Sequence, residues 1–170
     1  MIILGIDPGT ATTGYGVITC NNKGVCAIES GWILTPKEDN KDIRLISAFN
    51  QTREIIKKFQ PDIISIERLF FFANAKTAMN VAEFGGVIRL AAALEKIEVV
   101  EYAPLAIKSE VAGNGRADKK MVKSAVRKIL KVRSPKKKKT HFDDVCDAFA
   151  VAICHAKKKI LNNKGIKVGV

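Results

Sequence analysis

The chain has 170 residues, with 29 Lys and Arg against 17 Asp and Glu, and a formal net charge of +12. A chain this long buries roughly 68–70% of its unfolded surface and so can build a real core. The positive excess points to an anionic partner, nucleic acid first and an anionic membrane surface second. No apolar run reaches the ~18 residues of a membrane span, and no basic segment followed by an apolar stretch and cleavage site opens the chain. No membrane association and a cytoplasmic location are therefore expected.

The first element is the apolar run Ile2-Ile3-Leu4-Gly5-Ile6, which ends on Asp7. Short apolar runs bounded by Gly and Pro read as buried strands. Pro8 biases Asp7 towards extended geometry, and Gly9 lets the chain turn tightly beyond it. Alone, Asp-Pro-Gly reads as a turn cap. Residues 14–20 form a second strand. The polar turn Asn21-Asn22-Lys23-Gly24 joins it in a hairpin to a third strand over 25–34, with Gly31 expected as a bulge.

A helix is predicted over 42–59, with Ile43, Ile46, Phe49, Ile56 and Phe59 on one face and Pro61 ending it. The fourth strand, Asp62 to Glu67, again terminates on a carboxylate. A loop from Leu69 to Asn74 carries Phe70, Phe71 and Phe72. The helix over 76–96 is apolar on most of its surface, which requires a central position or a covering partner. Its Gly85-Gly86 pair is expected to permit close packing.

The fifth strand is 99–102. Pro104 opens a short helix to Val111. Asp118 caps a helix that ends near Lys131, buried through Met121, Val122, Ala125, Ile129 and Leu130. A lysine-rich loop follows, and the last helix runs from about Asp143 past His155. The order is three meandering strands, helix, strand, helix, strand and three helical segments. It is expected to form one 1–170 domain of the α/β class, with a mobile basic loop over 132–142 and a mobile tail over 162–170. The cysteines at 20, 26, 146 and 154 have no metal-binding spacing and are expected to be reduced and mostly buried.

Asp144 and Asp147 stand three residues apart and project from one face of a helix's first turn. Capping explains one aspartate of the Asp143, Asp144 and Asp147 group well and all three poorly. If the first and fourth strands are neighbours, Asp7 and Glu67 end at one sheet edge. The last helix could add Asp144 and Asp147. Four carboxylates in one cleft would repel unless cations bind, and oxygen ligands suit Mg²⁺ or Mn²⁺. Two such ions ~4 Å apart are a common device for phosphodiester cleavage.

Four stretches together resemble the RuvC family of bacterial Holliday-junction resolvases. They are Gly5-Ile6-Asp7-Pro8-Gly9-Thr10 with Thr13-Gly14-Tyr15-Gly16; Glu67-x-x-Phe70-x-x-x-Asn74; Gly113-Asn114-Gly115-x-Ala117-x-Lys119; and Asp144-x-x-Asp147-Ala148-x-Ala150. The resemblance covers nearly the whole chain, in order. It implies an RNase H-like fold, with a five-stranded mixed sheet of three antiparallel N-terminal strands and then parallel strands, flanked by helices. It also implies a homodimer and Mg²⁺-dependent cleavage of four-way DNA junctions during recombination and repair, with two ions per site. The implied catalytic and metal-ligating residues are Asp7, Glu67, Asp144 and Asp147. The Asp144 position carries His in some relatives. The implied DNA contacts are Phe70, Asn74, Lys108, Arg116 and Lys119, and the implied partner is a branch-migration motor. The run Lys136 to Lys139 is more basic than the family pattern.

Between Arg116 and Lys139 there are twelve Lys or Arg and one acid, Asp118. A solvated helix face usually mixes both signs, so this stretch reads as a phosphate-contacting surface. Two of the three phenylalanines can serve as core. A third would stack at an unpaired base. A sugar-kinase or actin-like ATPase shares the look of Asp7-Pro8-Gly9-Thr10, but needs two domains. A non-catalytic binding module gains nothing from acids near phosphates. A nuclease of the same fold acting on another substrate, such as RNA–DNA hybrid, is the nearest alternative.

Overall fold

A computed structural model describes residues 1–68, 75–132 and 142–161. One five-stranded sheet carries β1 (Ile2–Asp7), β2 (Thr12–Asn21), β3 (Gly24–Leu34), β4 (Ile63–Glu67) and β5 (Glu98–Tyr102), in the order β3-β2-β1-β4-β5. The pairs β1–β2 and β2–β3 are antiparallel, whereas β1–β4 and β4–β5 are parallel. This is the mixed sheet expected, and helices cover both its faces.

The apolar run of β1 follows from that double cover, because a strand buried on both faces has no polar side to show. Ile3 packs into one core with Ile18, Ile63, Val145, Phe149 and Ile153. Its neighbour Leu4 packs into the other with Val17, Ile56, Ile64 and Ile88. The helices are α1 (Lys41–Phe59), α2 (Ala75–Leu94), α3 (Pro104–Ala112), α4 (Lys119–Leu130) and α5 (Phe142–His155). The last continues as a π-helix over Ala156–Leu161. Among the described residues no helix is long and apolar enough to cross a membrane.

Helix α5 lies across β1 and β2. Its approach is close because Gly5 presents no side chain to it. A Cβ at Gly5 would stand 2.1 Å from the carbonyl oxygen of Ala148. Tyr102 at the end of β5 and Nδ1 of His155 in α5 are hydrogen-bonded at 2.8 Å, which ties the same helix to the sheet edge.

Four details differ from the sequence reading. The β2–β3 register shifts between Val17, opposite Glu29, and Ile18, opposite Ala27. The extra residue is therefore Ile28, and Gly31 pairs regularly with Tyr15. Helix α1 buries Ala48, Thr52 and Ile56, while Ile43 and Ile46 are exposed. The buried face of α1 instead runs through Leu45, Ala48, Thr52 and Ile56, which turns Ile43 and Ile46 to solvent. Helix α4 buries Val122, Val126 and Leu130, whereas Met121 is exposed. Within the chain no described residue packs closely on Gly85 or Gly86, since a Cβ at either would have no heavy atom within 4 Å.

The apolar character of α2 is explained on one side only. Phe84, Ile88, Ala91 and Ala92 are buried against α1 and the sheet. Met79, Leu90 and Leu94 are 62%, 54% and 57% exposed, on a stripe that also holds Gly86. Cys20, Cys146 and Cys154 are buried and Cys26 is exposed, all as free thiols.

Candidate active site

The parallel pairing of β1 with β4 puts Ile6 opposite Ile66. Asp7 and Glu67 are the next residues, so two acids emerge side by side at the carboxyl ends of adjacent strands. That is where open α/β sheets place their ligands. Helix α5 supplies the third side. Its first turn rests on β2 at Gly14, where a Cβ would stand 2.3 Å from the carbonyl oxygen of Asp144. One turn later Asp147 faces the strand ends.

These elements enclose an open cleft of about 440 Å³. Asp7, Glu67 and Asp147 line it on one side. Pro104, Ile107 and Lys108 of α3 and Lys119 of α4 line it on the other. Asp144 is not among the lining residues, yet its charge is felt by Asp7. Asp143 turns outward and pairs with Lys123 at 2.5 Å.

Lys119 reaches the cleft through a defined sequence of local bonds. Gly113 closes α3 in the left-handed region, with φ +75°. Asn114 then accepts from the Arg116 amide at 2.9 Å through its side chain, and from the Ala117 amide at 3.0 Å through its carbonyl. Ala117 is buried as the anchor of the turn. The Asp118 carboxylate caps α4 by accepting from the Met121 amide at 2.8 Å. The first residue of α4 is thus Lys119, whose Nζ donates to Oδ2 of Asp147 across 3.4 Å.

The electrostatics reflect crowding of like charges. The Asp7 carboxyl is pushed up to about 8, first by burial and then by Asp147, Glu67 and Asp144, with Lys119 opposing. Glu67 is raised by burial and by Asp147, and held back by Lys119 and Lys108. Lys119 is raised in turn by Asp147. Yet no three His, Cys, Asp or Glu side chains among the described residues stand close enough to form a ready-made cage. The two findings are compatible, because charge coupling at low dielectric acts over longer distances than ligation.

The site residues expected from sequence divide cleanly. The structure brings Asp7, Glu67, Asp147, Lys108 and Lys119 to one cleft, with Asp144 outside its lining but near enough to raise the Asp7 carboxyl. Arg116 is exposed in the turn before α4 and does not line the cleft. Phe70, Asn74 and the run Lys136 to Lys139 lie outside the described residues, as do most of the 132–142 loop and the 162–170 tail. Sequence reasoning missed Arg68, which lines the cleft directly after Glu67, although its adjacency to an acid at a strand end was a usable signal. Of the α3 wall it reached Lys108 through the family resemblance and missed Pro104 and Ile107.

Residues 3–155 match the family described as Crossover junction endodeoxyribonuclease RuvC. The protein of that name from Ruminiclostridium cellulolyticum is 45% identical over 155 residues, 91% of this chain and 91% of that protein. The one from Syntrophomonas wolfei is 43% identical over 155 residues, 91% of this chain and 88% of its own length. Among solved structures, Thermus thermophilus RuvC superposes with a TM-score of 0.83 at 27% identity, covering 97% of each chain. The same protein in complex with Holliday junction substrate gives 0.82 at 27% identity, covering 92% of this chain and 93% of that one.

The crowding of Asp7 has a measurable signature. Its carboxyl ionises near 3.8 when unfolded but only near about 8 when folded. Between those values the folded state binds the extra proton, so stability falls as pH rises through that window. In metal-free buffer the Asp7→Asn variant should melt increasingly above wild type as pH goes from about 5 to about 8, and the gap should then level off. A gap that is flat across that range would contradict this electrostatic picture.

Proposed function

The chain belongs to the family of crossover junction endodeoxyribonuclease RuvC, and from that premise we infer that it is a DNA endonuclease that resolves four-way Holliday junctions in recombination and repair. The observation that carries this reading is the cleft, where Asp7, Glu67 and Asp147 face Lys108 and Lys119 in a chain of net charge +12. A binding module would place only cations against phosphates. Acids at the centre of a cationic surface suit cleavage.

The family is metal-dependent. We assign Asp7, Glu67, Asp144 and Asp147 as the ligands and catalytic acids, with Mg²⁺ as the metal, Mn²⁺ as its substitute, and two ions per site. The residues fit that group, because all the donors are hard carboxylate oxygens and Asp7 stands where burial and neighbouring acids oppose its ionised form, which a cation would favour. When bound, such ions activate a water and stabilise the leaving oxygen of the phosphodiester.

The chain's own groups perform the remainder. Lys108 and Lys119 draw the scissile phosphate against the acidic wall, and their charge compensates that of its non-bridging oxygens. The basic face of α4, with Arg116 before it, holds the flanking phosphates without reading sequence. Phe70 and Asn74 are assigned to the unpaired region near the crossover, where an aromatic ring can stack on a base.

The working form is a homodimer built on α2. Support comes from the exposed stripe of Met79, Leu90 and Leu94 with the open Gly86, since soluble monomers rarely expose a contiguous apolar patch of that kind. An isologous pair presents two identical clefts to two strands of like polarity. The protein is placed in the cytoplasm, working with a branch-migration motor.

Asp7→Asn, Glu67→Gln, Asp144→Asn and Asp147→Asn should each remove most cleavage of a four-way junction while keeping its binding. Plain duplex and RNA–DNA hybrid should remain largely uncut by wild type. Preferential cleavage of the hybrid would overturn the assigned substrate, and wild-type cleavage by any one variant would remove that acid from the site. Sedimentation should report a dimer at micromolar concentration, and Leu90→Glu should shift it towards monomer. A monomeric wild type would contradict the α2 assignment.

A further inference from the structure

We propose that Arg44 is a positioning residue for cleavage: together with Thr35 it holds the Thr10 carbonyl and thereby fixes the loop that follows Asp7. This deepens the functional reading above and rests on it.

The loop from Pro8 to Ala11 joins β1 to β2. It begins at the central acid, and Pro8 lines the cleft beside it. Such a loop would be expected to move, because a short surface connection is usually held by few contacts. Here the backbone is tied at three successive residues. At Gly9, the amide donates to Oγ1 of Thr13 at 3.2 Å, and the Thr13 hydroxyl donates to the Gly9 carbonyl at 3.0 Å. At Ala11, the carbonyl accepts from the Thr35 amide at 3.0 Å. Between them, the Thr10 carbonyl takes two donors from distant parts of the chain. The Thr35 hydroxyl donates at 2.6 Å, and the Arg44 guanidinium donates through one terminal nitrogen.

Arg44 is the charged member of this set, and its other contacts show what it connects. It sits in the first turns of α1, with its guanidinium carbon 5.5 Å from the centre of the Phe84 ring. Phe84 is buried on α2, opposite the exposed stripe assigned to the dimer. One side chain therefore bridges the active-site loop, α1 and the helix of the proposed interface. Its Nε is buried without a hydrogen-bond partner. Leaving a buried donor unsatisfied is unfavourable, so an apolar side chain would fill the space at less cost if filling were its only task. A charged donor placed over an aromatic ring and onto one carbonyl resists displacement of that carbonyl. Among the described residues Arg44 does not line the cleft and pairs with no acid, so its influence is on geometry. Misplacing catalytic groups by ~1 Å can lower a rate ~100-fold.

Two measurements test this on the full-length protein. The first is hydrogen exchange of the segment from Asp7 to Thr13 without DNA, which does not depend on the functional reading. Arg44→Met should speed exchange there, Arg44→Lys should recover part of the protection, and Thr35→Val should act in the same direction. The second is single-turnover cleavage of a saturating four-way junction in Mg²⁺. Arg44→Met should lower that rate ~10-fold or more with junction affinity changed less than ~2-fold, and Arg44→Lys should restore part of it. Combining Arg44→Met with Thr35→Val should add little, because both hold one carbonyl.

Unchanged exchange in a folded Arg44→Met protein overturns the proposal whatever the activity. So does wild-type cleavage by that variant, or a parallel loss of binding and cleavage that Lys does not relieve. Should Arg44→Met fail to fold, Thr35→Val decides, and wild-type exchange and cleavage in that variant overturn the proposal. Faster exchange in Arg44→Met alongside a wild type that leaves every junction intact would instead refute the functional reading and spare the clamp.

Discussion

The structure depends on holding like charges together. Asp7, Glu67 and Asp147 converge on one cleft, and burial with mutual repulsion pushes the central carboxyl up to about 8. Such an arrangement works against folding and exists only where the surrounding elements over-determine it. In this chain two parallel strands and one helix supply that rigidity. Pairing of Ile6 with Ile66 fixes the spacing of the first two acids. The third arrives on a helix pressed so closely onto β1 and β2 that glycine is needed at Gly5 and Gly14. Charge compensation comes from α3 and α4, which bring Lys108 and Lys119 to the opposite wall.

On the proposed function, this arrangement separates binding from chemistry. The acids sit on the rigid sheet and its covering helix, whereas most of the net positive charge lies between Arg116 and Lys139, a stretch that begins with α4 and the turn before it. A phosphate backbone is attracted broadly by the second set and meets the first at one point. The Lys119–Asp147 contact of 3.4 Å joins the two sets. It gives an acid of the cleft a cationic neighbour while leaving that neighbour substantially exposed, with 74% of the Lys119 side chain accessible. A cation so placed can serve an incoming phosphate without crossing the protein interior.

Much of this was legible in the residues. Strands ending on Asp7 and Glu67 could be read from apolar runs stopped by a carboxylate, and the i, i+3 spacing placed Asp144 and Asp147 on one helix face. The same spacing did not reveal that Asp147 would line the cleft and Asp144 would not, because that depends on how α5 rotates against β2. Helical periodicity failed at Ile43 and Ile46 for a related reason: α1 carries two overlapping apolar rows, and the one that packs runs through Leu45, Ala48 and Ile56. Gly31 was a sensible bulge by residue type, yet the extra residue is Ile28, where cross-strand register decides. Lys108 of the α3 wall was reached only through the family resemblance, and the Arg44–Thr10 contact was invisible, since each joins segments far apart in sequence with no local pattern to mark it.

The proposed function requires that Asp7, with Glu67 and Asp147, take up a divalent metal at the strand ends. Anomalous diffraction from crystals of the wild-type protein soaked in Mn²⁺ tests it most directly. The account predicts anomalous density within coordinating reach of the Asp7 carboxylate and of at least one of Glu67 and Asp147, lost in Asp7→Asn crystals. Density elsewhere on the molecule with none in this cleft, or unchanged density after the substitution, would contradict it.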